Sequence, residues 1–234
     1  MKNELSSQRV PARRTRLLTW TIALALLPAA AFAQAKVNPV PPPPDPRGYV
    51  ELNAQSAFGN VTSQSFGGEV GVTIQPNLQV FFEIGATRDV STPELGAAAT
   101  LIANSLAQSQ SGVGFSVKEP ATFGVGGVRY LFPIADSKLQ PYVLGGFGAA
   151  KVSRNVKFTV GANDVTANLP QLGVVLGSDL SGSFTSPMLT LGGGIVYPVW
   201  QRVIADFQFR YGRIFAADQG INLSRAGLGV GIRF

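Results

Sequence analysis

Neither cysteine nor histidine occurs among the 234 residues. The first absence excludes disulfides, thiolate metal sites and thiol nucleophiles. The second excludes Ser-His-Asp chemistry and the commonest transition-metal ligand. Charge is also scarce: 14% of residues are Asp, Glu, Lys or Arg, against about 25% in a typical soluble domain. Glycine, with 27 residues, and proline, with 16, are abundant, and hydrophobic residues make up 45%.

The formal net charge of +6 would suit a nucleic-acid partner, but much of it is local. Residues 1–16 carry Lys2, Arg9, Arg13, Arg14 and Arg16 against Glu4, and an apolar run from Leu17 to Phe32 ends in Ala31-Phe32-Ala33. A basic n-region, a short apolar stretch and a small-x-small site predict a cleaved secretory signal peptide over 1–33, too short for a membrane-anchoring helix. Without it the chain keeps 14 basic and 12 acidic residues, and the case for nucleic acid loses its support. Residues 34–48 hold the run Pro41-Pro42-Pro43-Pro44 and predict a polyproline II linker on the periplasmic side.

From residue 49 onward, side chains alternate with period two, as in strands that present two different faces. Ala226, Leu228, Val230, Ile232 and Phe234 oppose Arg225, Gly227, Gly229, Gly231 and Arg233. Val203, Ala205, Phe207, Phe209 and Tyr211 oppose Asp206, Gln208 and Arg210. The same split recurs in Val50/Leu52/Ala54 against Glu51, in Val70/Val72/Ile74 against Glu69, and in Val80/Phe82/Ile84 against Glu83. Phe81 breaks the pattern. Between 119 and 133, Val128, Tyr130 and Phe132 are placed outward and Arg129 inward. Phe123 and Val125 then point inward unless a bulge intervenes.

Eight strands result, near 49–58, 64–75, 78–89, 119–133, 139–155, 183–198, 202–215 and 222–234. Each is long enough to cross a bilayer at a tilt. The fold class expected is all-β, an eight-stranded antiparallel up-and-down transmembrane barrel over 49–234 with its apolar face toward lipid. Three features favour lipid over water outside. Glycines accompany the charges, which suits a narrow interior. The inward charges Glu51, Glu69, Glu83 and Asp206 balance Arg129, Arg210, Arg225 and Arg233, as pairing away from water requires. Aromatic residues Tyr49, Tyr130, Phe132, Tyr142, Tyr197, Trp200 and Phe234 collect at one set of strand ends and predict a periplasmic belt. Links at that end are short, whereas 90–118 and 156–182 are long, in keeping with short periplasmic turns and long external loops.

Three segments carry a family resemblance: Gly227-Leu-Gly-Val-Gly-Ile-Arg-Phe234, Gly127-Val-Arg-Tyr-Leu-Phe132 and Gln140-Pro-Tyr-Val-Leu-Gly-Gly-Phe-Gly148. With the signal peptide, they make residues 49–234 resemble the small eight-stranded outer-membrane barrels of the OmpA-like and opacity-protein group. The resemblance implies residence in outer-membrane lipid. It also implies that Leu228, Val230, Ile232 and Phe234 form the carboxyl-terminal signal read by the barrel-assembly machinery. Such motifs specify architecture and leave activity open.

No residue pattern predicts a catalytic site, a cofactor or a metal. Lys118, Lys151 and Lys157 lie near serines at the expected outer rim, but no spacing singles out a serine–lysine pair. In the first long loop, Thr92 and Pro93 read as a helix start, with Leu95, Ala99, Ile102 and Leu106 as an apolar stripe. Leu169, Leu172, Val174, Val175 and Leu176 make the second loop equally apolar. Either the loops pack on each other over the barrel mouth, or they offer a surface to a ligand. The function expected is a non-enzymatic membrane anchor whose loops serve envelope integrity or adhesion. A narrow pore or carrier for small or hydrophobic solutes is the alternative.

Overall fold

A computed structural model describes residues 47–177, 180–217 and 220–234. The expected signal segment and the linker as far as residue 46 lie outside them. The elements are β1 (Gly48–Phe58), β2 (Ser63–Gln75), β3 (Leu78–Thr87), α1 (Pro93–Ala107), β4 (Val113–Lys118), β5 (Ala121–Leu131), β6 (Gln140–Val160), β7 (Asn163–Asp164), a 3-10 turn (Thr166–Leu172), β8 (Ser181–Trp200), β9 (Val203–Ile214) and β10 (Ile221–Arg233). Gly48 pairs with Val72 and so belongs to the first strand, where the sequence reading had ended the linker.

Eight strands close into a ring in the order β1-β2-β3-β5-β6-β8-β9-β10 and back to β1, every neighbouring pair antiparallel. Closure removes free edges and gives backbone N–H and C=O groups partners inside the wall, the condition for crossing hydrocarbon. At one end β2/β3 and β8/β9 are joined by tight turns. Asn77, with φ of 67°, supplies the left-handed residue of the first. The long connections stand at the other end.

The alternation read from the sequence sets the two faces. Outward residues are exposed, among them Phe207 (62%) and Val230 (61%), while the inward Asp206 and Arg225 of the same strands are fully buried. This is the reverse of a soluble barrel, so the outer surface needs lipid. Phe123 and Val125 face inward with no bulge, because β5 keeps an unbroken register with both β3 and β6.

The hairpin of β5 and β6 outgrows the wall. The pairs Lys118↔Asn155 and Ala121↔Val152 lie on one continuous register, so β4 is the distal part of β5, interrupted around Pro120. Residues 113–118 and 156–160, expected in loops, are therefore strand. The helix α1 forms where Thr92 and Pro93 predict it, and the Thr92 hydroxyl accepts from the Leu95 N–H. Leu95, Ala99, Ala103 and Leu106 pack against Val156 and Phe158 of β6 and against Leu169 and Leu180. Ile102 is only partly buried at its edge. The long loops thus share a second apolar core, a crown outside the barrel interior.

Truncating Phe158, fully buried at the centre of this core, to alanine is expected to cost about 3–5 kcal/mol. Limited proteolysis of the protein in vesicles should then cut the Phe158→Ala variant between residues 88 and 180 while the membrane-protected strands stay intact. Equal resistance of the two proteins would contradict the shared core.

Candidate functional site

The interior is layered. At the turn end lie Tyr49, Phe81, Tyr142, Leu144, Val196 and Ile204. At the loop end lie Phe123, Val125, Val152, Met188, Ile214 and Ile221. Between them six charges from five strands form a chain of alternating sign: Asp206, Arg129, Glu69, Arg210, Glu83, Arg225. Arg129 reaches Asp206 at 3.3 Å and Glu69 at 3.4 Å. Arg210 bridges Glu69 at 2.6 Å and Glu83 at 2.8 Å. Arg225 donates twice to Glu83, at 2.8 and 3.2 Å, and once to Gln55 at 3.3 Å. The planar fork of arginine suits such shared carboxylates better than a lysine point charge would.

Two residues of the expected network stand apart from this chain. Glu51 is buried, yet its hydrogen-bond partner is the Gln208 amide at 2.8 Å, and no arginine ion-pairs with it among the described residues. Arg233 sits half-buried at the turn end, because its strand position is past the level of the carboxylates, and lines a small pocket there.

The aromatic belt needs correction at two places. Tyr49 and Tyr142 are inside the barrel and buried, not at the lipid interface. The Tyr49 hydroxyl donates to Glu69 at 2.5 Å and the Tyr142 hydroxyl to Asp206 at 2.8 Å. Their rings flank Arg129, whose guanidinium carbon lies 3.5 Å from the Tyr142 centroid and 4.9 Å from that of Tyr49. Both rings fit because glycine faces them: a Cβ on Gly71 would strike the Tyr49 ring, and one on Gly194 the Tyr142 ring. The signal was present in the numbering, since Tyr49 shares its strand parity with Glu51 and Tyr142 is adjacent to outward Val143. Tyr130, Phe132, Tyr197, Trp200 and Phe234 do lie exposed at the turn end, and the rings of Tyr130 and Phe132 meet edge to face. Leu228, Val230 and Ile232 line the outer face of β10.

Phe123 does not line a lipophilic pocket. Its ring lies 4.3 Å from the Arg225 guanidinium carbon and fills the space left open by Gly85. The pocket among Tyr49, Gln79, Arg129, Leu131 and Arg233 holds about 60 Å³, room for a few waters and not for a solute. Among the described residues, no group of three Asp, Glu, His or Cys side chains could hold a metal ion.

A family model described as outer membrane protein beta-barrel domain matches residues 20–234. The chain belongs to this family of outer-membrane β-barrels. Its place is therefore the bacterial outer membrane, in contact with lipid. No curated protein sequence matches the chain. Among solved structures, it is similar to Neisserial surface protein A, with 16% identity, a TM-score of 0.52, and coverage of 80% of this chain and 97% of that one. It is also similar to the amino-terminal barrel domain of Pseudomonas aeruginosa OprF, with 16% identity, a TM-score of 0.49, and coverage of 80% and 96%. At 16% identity the likeness to Neisserial surface protein A shows the fold alone. In outer-membrane barrels generally, short turns face the periplasm and long loops the exterior.

Glu83 serves two arginines, so the Glu83→Gln variant leaves both underpaired in a buried site. The expected cost is about 3–5 kcal/mol, seen as a lower urea midpoint for unfolding from lipid vesicles. Glu51→Gln, which deprives no arginine of an ion pair, should cost much less. Equal losses would contradict the assigned chain.

Proposed function

We propose that this outer-membrane barrel is a non-conducting, non-enzymatic anchor that holds a folded loop crown at the cell surface, where envelope integrity or adhesion is its setting. The filled interior carries the reading: apolar layers at both ends enclose the ion-paired centre, and the turn-end pocket of about 60 Å³ leaves no room for a solute path. The crown supports the second half of it. Its apolar loop residues are largely spent on each other, which makes it a shaped platform and not a pair of loose loops.

Catalysis finds little support in the rim. Lys157 stands opposite Ser116 across β4 and β6, yet no hydrogen bond joins them among the described residues. A narrow pore or carrier would need a path through the arginine layer, and the interior position of Phe123 and Val125 is used in packing. The barrel-assembly machinery is proposed to read Leu228, Val230, Ile232 and Phe234, which lie on one exposed stripe.

Reconstitution of the purified protein into planar bilayers tests the anchor reading. The expected record is a baseline without steady conductance. Large, stable conductance from the monomer would overturn it.

A further inference from the structure

The outer wall carries one strongly basic sector just beyond its apolar band. Outward residues on β3 run Val80, Phe82, Ile84 and Ala86, with exposed Arg88 just past its end; on β6 they run Val143, Gly145, Phe147, Ala149 and then Lys151. On both strands the first charge thus comes one outward step after the last apolar position. The strand between them adds Lys118, and β6 continues to Lys157, all four cations being exposed. Arg88, Ser116, Lys118, Pro120, Asn155 and Lys157 line an open pocket of about 430 Å³.

No carboxylate lines that pocket, and the two acids adjacent in sequence to its cations, Glu119 and Asp89, are engaged elsewhere. Glu119, beside Lys118, is buried on the opposite face and pairs with Arg154 at 3.3 Å. Asp89, beside Arg88, accepts from the N–H groups of Ser91 and Glu119, both at 3.0 Å. Asp164, exposed on β7, is held by the Thr166 N–H at 2.9 Å and lies close enough to Lys157 to offset part of its charge. Arg88 itself donates to the neutral Gln64 amide oxygen at 3.3 Å. Like charges gathered on one face in excess of the carboxylates there raise the energy of the free protein unless an anion joins them.

The location says where that anion comes from. The sector stands on the lipid-facing side of the wall, directly beyond Phe82, Ile84 and Phe147, at the end assigned to the exterior. A lipid whose acyl chains lie along those residues would bring its headgroup to the four cations. We propose that Arg88, Lys118, Lys151 and Lys157 form a binding site for the phosphate groups of an anionic outer-leaflet glycolipid, so that the barrel carries a bound lipid on its β3–β6 wall. This site is separate from the barrel interior, and it stands or falls independently of whether the barrel conducts.

The test uses the full mature chain, refolded in detergent micelles, with bisphosphorylated lipid A as the probe and native mass spectrometry as the readout. The wild-type protein is expected to retain the lipid, to bind its dephosphorylated form much more weakly, and to show no binding of millimolar inorganic phosphate. In the triple variant R88Q/K118Q/K157Q retention should fall by about 100-fold, the product of three cation–headgroup contacts of ordinary size. Heat-modifiable gel migration establishes that the variant barrel is folded. The variant K138Q/R202Q, which removes two exposed cations at the turn end, should retain the lipid as the wild type does. Unchanged retention in the folded triple variant would overturn the proposal, as would indifference to the phosphates. Equal binding of free phosphate, or binding of a sulfated oligosaccharide in place of the lipid, would overturn its lipid assignment.

Discussion

A charge placed inside a wall that faces hydrocarbon has to be neutralised where it stands, because water cannot reach it cheaply. Here that constraint produces the chain from Asp206 through Arg129, Glu69, Arg210 and Glu83 to Arg225. Its members come from β9, β5, β2, β3 and β10, so each ion pair ties strands that are distant in sequence. The same contacts fix which face of every strand points inward. A one-residue slip of register would turn a guanidinium toward lipid and an aliphatic side chain toward the carboxylates.

Space for the network comes from the glycines of the inner face. Gly229 leaves room for the Glu51 carboxyl, where a Cβ would collide with it. With glycine as filler, three arginines and two tyrosines fit within eight strands, a barrel size that leaves no water-filled channel. The apolar layers above and below then shield the charges from both aqueous ends. Beyond the loop-end layer a separate core holds the crown, built on a hairpin whose strands continue past the wall. Anchor and platform are therefore one continuous piece of sheet.

Much of this was legible in the sequence, because period-two alternation is a direct imprint of a two-faced wall. The inward positions of Glu69, Glu83, Arg129, Asp206, Arg210 and Arg225, the outward stripe of Leu228, Val230 and Ile232, and the cap of α1 at Thr92 all follow from it or from local helix chemistry. What was misread has physical reasons. Tyr49 and Tyr142 were assigned by residue type to an interface, although their parity puts them inside, where each hydroxyl meets a carboxylate. Arg233 was placed by parity alone, which gives the face but not the height. The outer strand β4 was hidden because Lys118-Glu119-Pro120 looks like a strand end, and only pairing shows that the register resumes. Which carboxylate meets which arginine depends on barrel stagger, which no single strand encodes.

Lipid meets the aliphatic face of the barrel, and the absence of cysteine from the protein makes that face easy to probe. A single cysteine introduced at Val230, carrying a nitroxide label in the reconstituted protein, reports its surroundings by collision with apolar oxygen or with a water-soluble nickel chelate. High access to oxygen with little access to nickel is the predicted result. A label at Val230 shielded from oxygen, or one that nickel reaches freely, would contradict the orientation on which the whole structure depends.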